Sequence, residues 1–322
     1  MAKRAEILQL ESSLVEPSEG LPKNWRNVST IGMGGTANVY LYETPDGHVA
    51  VKSIKVDDNE DLTAEARAEI MHLQKVIADN GGRCHPNVLC YRNVYRDKSY
   101  MYLVTDYLDG FALSQWSRNH KKLGENDPAR HLSTLRDIAK TAAKGLSYLH
   151  SIGIAHRDLH VGNIMVVPTS DPLEPSRVTQ KAVLIDLGLS CILDTENKWQ
   201  TCKRERNYVY LPGEIPTDED FLRIDVRMLA EALFPAVSGE VNWRILQEGG
   251  DLAIITKDEE ITKVMKIARK HIYGRRSMIE KAENSIVAEK IYQQLTDVVL
   301  AMLQTKNISA EESYKAFAMK TE

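Results

Sequence analysis

The segment His156-Arg157-Asp158-Leu159-His160-Val161-Gly162-Asn163-Ile164 concentrates polar chemistry in nine positions, and Asp186-Leu187-Gly188 begins 23 positions past Asn163. An aspartate such as Asp158 can take a proton from a hydroxyl, and an asparagine five positions on can offer an amide oxygen to a hard cation. Asp186, at the end of an apolar run, adds a second hard oxygen of the kind Mg²⁺ uses when it bridges phosphates. Read singly, each is a capping or turn residue, and Asp186 alone is best read that way. Their convergence points to chemistry.

Gly32-Met33-Gly34-Gly35-Thr36-Ala37-Asn38-Val39 adds a second cluster, in which missing side chains let backbone N–H groups approach an anion such as a triphosphate. Alone, this is equally a glycine-rich hairpin turn. Thirteen positions past Val39, Lys52 sits on the apolar run Val49-Ala50-Val51, where a charge is costly unless an anion pairs with it. Glu65 and Glu69 lie four apart, on one face if the segment is helical, so either could reach Lys52. Glu69 is preferred because it precedes the apolar Ile70.

Elements that would position these residues are legible in the spacing. Val39 to Tyr42 and Val49 to Lys52 are β-prone runs separated by the turn signal Pro45-Asp46-Gly47. Glu60 to Ala78 carries Leu62, Ala66, Ile70, Leu73 and Ile77 at helical spacing and stops at Asn80-Gly81-Gly82. Tyr100 to Val104 predicts another strand, and the chain loosens at Asp106, Asp109 and Gly110. Beyond it, a buried helix is predicted over Leu132 to His150, then strands at Ile164 to Val167 and Ala182 to Ile185. Helices follow over Asp225 to Leu233, Glu259 to His271 and Ile286 to Leu303.

Composition excludes several function classes. The 322 residues are 43% hydrophobic and 27% charged with a net charge of −4, an ordinary globular balance that announces neither nucleic acid nor anionic lipid as a partner. No apolar stretch reaches 18 residues, and Glu6, Glu11, Glu16 and Glu19 interrupt the opening segment, so neither a membrane span nor a secretory leader is expected. Cys84, Cys90, Cys191 and Cys202 include no pair at two-residue spacing, so reduced thiols in an intracellular protein, cytoplasmic or nuclear, are the simplest expectation.

In order and spacing these motifs resemble the eukaryotic-type protein kinase family from about Val28 to the C-terminal region. The resemblance implies an α+β, bilobal fold with a small β-rich N-lobe and a larger, mainly helical C-lobe. Its implied divisions are a tail over 1–26, an N-lobe over 27–105, and a hinge and C-lobe over 106–322. It implies an ATP site formed by Gly32, Gly34, Ala37, Val39, Ala50, Lys52, Glu69, Thr105, Asp106 and Leu108, with Glu69 anchoring Lys52. Asp158 becomes the catalytic base, supported by Lys52, Asn163 and His160, and Asn163 and Asp186 become the Mg²⁺ ligands. His85-Pro86-Asn87 matches the link after the first helix, Leu211-Pro212-Gly213-Glu214 a divergent Ala-Pro-Glu, and Asp225 the family's buried helix aspartate.

The departures are Ala37 in place of a glycine, Leu187 where Phe is commoner, and His160 where Ser/Thr kinases place a lysine. Leu159-His160-Val161-Gly162-Asn163 also resembles the loop of aminoglycoside and choline phosphotransferases, which act on small molecules. A scaffold that binds partners without catalysis is a third reading, opposed by the presence of Lys52, Asp158 and Asp186. The favoured expectation is transfer of the ATP γ-phosphoryl group to protein Ser or Thr hydroxyls. Its partners are then a protein substrate and an upstream activating kinase that places phosphate on Thr201 or Tyr208 for Arg157 to pair with. Lys263, Lys266, Arg269, Lys270, Arg275 and Arg276 are expected to form a solvated helix face.

Overall fold

Short β-branched and aromatic runs broken by turn residues build the first sheet. In a computed structural model that describes residues 20–33, 37–55, 60–170, 178–193, 218–240, 258–281, 285–304 and 308–319, its first strands are β1 (Arg26–Met33), β2 (Ala37–Thr44) and β3 (Gly47–Lys55). With β4 (Tyr91–Arg96) and β5 (Tyr100–Asp106) they form an antiparallel sheet in the order β1-β2-β3-β5-β4. Gly47 takes a φ of 117° at the β2–β3 turn, which L side chains rarely adopt. The register pairs Val39 with Lys52 and Lys52 with Leu103, and pairs Ala50 with Thr105 and Ala37 with Ile54. Cross-strand partners share a face, as do alternate residues of one strand, so Ala37, Val39, Ala50, Lys52 and Thr105 all fall on one side of the sheet.

Helix α1 (Glu60–Ala78) buries Ala66, Ile70 and Leu73. It ends where Gly81 and Gly82 turn left-handed at φ 64° and 78° and the Gly82 N–H donates to the Ile77 carbonyl at 3.0 Å. Expected as reduced thiols, Cys84 and Cys90 are instead joined as a disulfide with Cα atoms 5.3 Å apart, and Cys191 is also disulfide-bonded. The cause at Cys84 is local: a turn closed by Val88 N–H on the His85 carbonyl folds the chain back while Asp106 N–H holds the Cys90 carbonyl beside β5. The thiols therefore carry no argument about compartment.

Among the described residues the chain forms two compact units, consistent with an α+β fold: a β-rich one ending at Asp109 that also includes Asp186–Cys191, and a mainly helical one made of Gly110–Ile185 and the chain from Ile192. In the second unit, β6 (Phe111–Ala112) leads into α2 (Leu113–Asn119) and α3 (Lys121–Asn126), and α4 (Pro128–Ser151) is the central helix. Its Leu132, Leu135, Ile138, Ala139, Ala142, Leu146 and Leu149 are fully buried. The helix starts a turn before that apolar stripe because Asp127 caps the Arg130 N–H at 3.1 Å and Pro128 occupies the first position. After β7 (Ile154–Ala155), strands β8 (Ile164–Ser170) and β9 (Val178–Leu184) pair antiparallel beside β6. Helices α5 (Asp218–Ser238), α6 (Asp258–Ile279), α7 (Ser285–Leu303) and α8 (Ala310–Ala318) follow, the last opened by a reciprocal Ser309–Glu312 capping box. No helix among the described residues is long and apolar enough to cross a membrane.

Candidate active site

Lys52 lies at the centre of the first unit's charged cluster. Its Nζ stands 2.8 and 3.0 Å from the two carboxylate oxygens of Glu69 and 3.2 Å from Oδ1 of Asp186. β3 delivers the lysine and α1 the glutamate, so Glu69 rather than Glu65 is the partner, with the side chain of Glu65 outside the described residues. Burial disfavours charge on Lys52, but the Glu69 and Asp186 carboxylates outweigh it and hold the ammonium above the usual lysine range. Glu69 faces the reverse balance: burial pushes its carboxyl up, Lys52 pulls it down, and Asp186 adds to the rise, leaving it above the usual glutamate range. The cluster carries two acids against one base, and all three protons of the ammonium are engaged.

Asp186 adopts a φ of 63°, an uncommon conformation for a residue with a Cβ. Gly188 follows closely enough that a Cβ there would lie 3.0 Å from Asp186 Oδ1 and 3.5 Å from Glu69 Oε2, so the glycine leaves room for the cluster. Leu187 is buried, and its carbonyl accepts from Ser190 Oγ, which in turn meets Nδ1 of the buried His72 on α1 at 2.6 Å. Gly32 sits opposite Val39, whose Cβ would lie 3.4 Å from a Cβ built on the glycine, while Gly34 lies outside the described residues. Thr105 is buried and Leu108 half-buried, but the Asp106 side chain projects from the other face of the sheet and accepts from Arg92 Nε at 2.5 Å.

In the second unit, Asn163 Nδ2 donates both to the Asp158 carbonyl at 2.8 Å and to its Oδ2 at 2.9 Å. His160 Nε2 lies 3.8 Å from the same carboxylate oxygen. Because Gly162 N–H donates to His160 Nδ1 at 2.9 Å, a neutral His160 carries its proton on Nε2, toward Asp158. A Cβ at Gly162 would come 2.7 Å from the His160 ring, so the glycine permits this fold-back. Beneath the loop, the buried Asp225 of α5 accepts from the backbone N–H groups of His156 at 2.6 Å and Arg157 at 2.7 Å, and meets His150 Nε2 at 3.0 Å. Those contacts hold Arg157 at a φ of 67°. His156 closes the base of the loop, its Nε2 meeting the Ile185 carbonyl at 3.1 Å.

Each unit by itself offers an oxygen donor of the kind a magnesium-bound polyphosphate uses. Asn163 spends its amide nitrogen on Asp158, and its amide oxygen takes no hydrogen bond among the described residues. Asp186 is 42% exposed on a cluster of net charge −1, which would repel a bare polyphosphate and accept one that arrives with a divalent cation. His72, Ser190 and Gly162 are contributors that sequence spacing did not single out: His72 and Ser190 meet across 118 positions, and Gly162 acts through the fold-back of the His160 ring. Thr201, Tyr208 and Glu214 lie outside the described residues.

The protein kinase domain family matches residues 25–316 of the chain. Among similar proteins, Serine/threonine-protein kinase PkaB of Streptomyces coelicolor is 28% identical over 210 residues, 65% of this chain and 47% of that protein. Sperm motility kinase 3A of Mus musculus is 28% identical over 244 residues, 74% of this chain and 42% of its own. Mitogen-activated protein kinase kinase kinase 10 of Xenopus laevis is 29% identical over 222 residues, 66% of this chain and 20% of its own. The chain thus spans less than half the length of each of these relatives.

Proposed function

The chain belongs to the protein kinase domain family, and from that premise we propose that it transfers the γ-phosphoryl group of ATP to Ser or Thr hydroxyls of proteins. The observation that carries this reading is the clamp on Lys52 by Glu69 and Asp186, which fixes a cation on an otherwise apolar sheet face. Lys52 aligns the α- and β-phosphates, and the face shared by Ala37, Val39, Ala50 and Thr105 takes the nucleotide. Asp158, oriented by Asn163, accepts the proton of the acceptor hydroxyl as its oxygen bonds to the γ-phosphorus; the bond to the β–γ bridging oxygen breaks and ADP leaves. Asn163 and Asp186 would hold Mg²⁺, which neutralises phosphate charge when bound. His160 stands where its Nε2 proton can donate a hydrogen bond near the transferred group.

The similarity to Serine/threonine-protein kinase PkaB supports phosphoryl transfer to protein hydroxyls. Incubation with γ-labelled ATP and Mg²⁺, offering basic, acidic and tyrosine-containing proteins beside choline and an aminoglycoside, tests it. Label on protein serine or threonine is expected. Label only on the small molecules would replace the protein substrate with a small one, and label on none, with nucleotide still bound, would leave a non-catalytic scaffold.

A further inference from the structure

The second unit contains a recess, open to solvent, that the candidate chemistry does not use. Its rim carries Arg118 at the end of α2 and Lys121 at the start of α3, both exposed and without an ion pair among the described residues. Its floor carries Arg275, the one member of the expected solvated basic face that turns inward. Two glycines admit that guanidinium: Gly239 at a φ of 76°, where a Cβ would lie 3.1 Å from it, and Gly124, whose carbonyl accepts from Nη2 at 3.1 Å. Arg275 Nε remains buried without a partner, and so does Nδ1 of His131, a side chain only 5% exposed. A buried guanidinium N–H without an acceptor is costly and marks a place where a ligand's acceptor would be gained, while Nδ1 of the neutral His131 donates or accepts according to its tautomer.

The charge balance is cationic. His131 stays neutral near pH 7, since burial, then Arg275 and His120, lower it to about 4. Against three cations stands Glu240, already engaged by His271 Nδ1 at 2.9 Å. Ala232, Pro235 and Ala236 of α5 supply an apolar wall suited to methylene groups. Val161 also lines the recess, and its carbonyl accepts from Ser114 N–H at 3.2 Å, so the loop bearing Asp158 and one side of the recess are the same stretch of chain.

We propose that this recess binds an acidic side chain of the protein substrate, selecting acceptor hydroxyls that lie near glutamate, aspartate or a phosphorylated residue. The inference rests on the proposed protein kinase reading. Cations beside an apolar wall suit a carboxylate carried on methylene groups better than a free inorganic anion, and Val161, which lines the recess, lies three positions from Asp158.

The test uses the full chain and serine peptides that differ only in whether flanking positions carry glutamate, alanine or lysine. The glutamate peptide is expected to have the highest kcat/KM. In Arg118→Glu combined with Lys121→Glu, its KM relative to the alanine peptide should rise about five-fold, because each exposed charge contact is modest, and the lysine peptide should improve. Equal use of the three peptides by the unmodified protein, or one common factor for all three in the variant, overturns the proposal while leaving the kinase reading intact. Fluorescence anisotropy of the labelled glutamate peptide separates the two readings: charge-dependent binding without transfer to any protein supports the recess and removes the kinase. Saturation by inorganic phosphate with no binding of the glutamate peptide overturns a peptide ligand in favour of a free anion.

Discussion

Lys52 is held in place by opposite charges, whereas the loop bearing Asp158 is held by side chains that hydrogen-bond its main chain. In the first unit the anchoring residues are ionised side chains from β3, α1 and the segment after β9, and each contact depends on protonation. In the second, Asn163 donates to the Asp158 carbonyl and Asp225 accepts from two main-chain N–H groups, so the loop's shape rests on pairing its buried main-chain groups. A region built from charge can be retuned by pH and rescued by removing both partners. One built from hydrogen bonds to main-chain groups fails when a single acceptor is lost.

The largest expected effect lies on the chemistry itself. Asp158→Asn should lower transfer about 10³-fold, the scale of a lost general base, with nucleotide binding retained; single-turnover transfer beside nucleotide titration measures both. Unchanged transfer would remove Asp158 from the base role. Lys52→Met leaves Glu69 buried without its cation, and breaking such a pair costs about 3–5 kcal/mol, read as a fall in unfolding midpoint along with lost transfer. Replacing Glu69 by Met as well should recover most of the stability and none of the transfer. Failure of the double change to recover stability would mean that the first unit is not held by charge.

Asp225→Asn presents the opposite case. The amide keeps the volume but offers one acceptor where two main-chain N–H groups converge, so one buried donor loses its partner at about 1–3 kcal/mol. No second substitution on α5 should restore it, since the orphaned group is main chain. Chemical denaturation of the single variant checks the loss, and an unchanged midpoint would show that the loop is held by other contacts.

Glu69 gives the first unit a pH signature. Its carboxyl titrates above the usual glutamate range, so on acidification it takes up a proton earlier than an exposed glutamate and releases Lys52. The sign for folding is the reverse of the common carboxylate case: a raised value means that the folded protein binds the proton more tightly. The stabilisation is full below the unfolded value and is lost as pH rises to the raised folded one. Transfer should therefore fall on the acid side while Glu69 itself does not destabilise the fold, and Glu69→Gln should flatten that limb of the pH profile. An acid limb unchanged in that variant would assign it to another group.

Much of this arrangement is legible in the sequence where the signal is periodic or local. The α1 stripe through Ala66, Ile70 and Leu73 marks the helix that carries Glu69, and the Asn80-Gly81-Gly82 stop marks its end. Helix lengths are less so: α4 starts with a cap and a proline that lie outside its apolar stripe, and α5 begins seven residues before Asp225. Contacts across long separations leave no pattern. His72 meets Ser190 across 118 positions, and the positive φ of Asp186 and Arg157 is set by what surrounds them rather than by residue type. Arg275 looks like any other cation in a basic run, and only Gly124 and Gly239, far apart in sequence, show why it turns inward.

The smallest expected effect concerns His160, the departure from the kinase pattern nearest to Asp158. A Cβ at position 162 would lie 2.7 Å from Cε1 and 2.9 Å from Nδ1 of His160, so Gly162→Ala must push the ring aside and break the N–H to Nδ1 contact. The ring is half exposed and free to move outward, so the fold should persist and only the Nε2 donor near Asp158 should be misplaced. Loss of one modest hydrogen bond, about 1 kcal/mol, corresponds to about five-fold in kcat/KM. His160→Ala should produce a similar loss by removing the donor outright. The two changes act through one side chain, so Gly162→Ala should add nothing in the His160→Ala background. Additive losses in that cycle would show that Gly162 shapes the loop by a route independent of His160, whereas full activity of His160→Ala would make the histidine only a bystander beside the carboxylate.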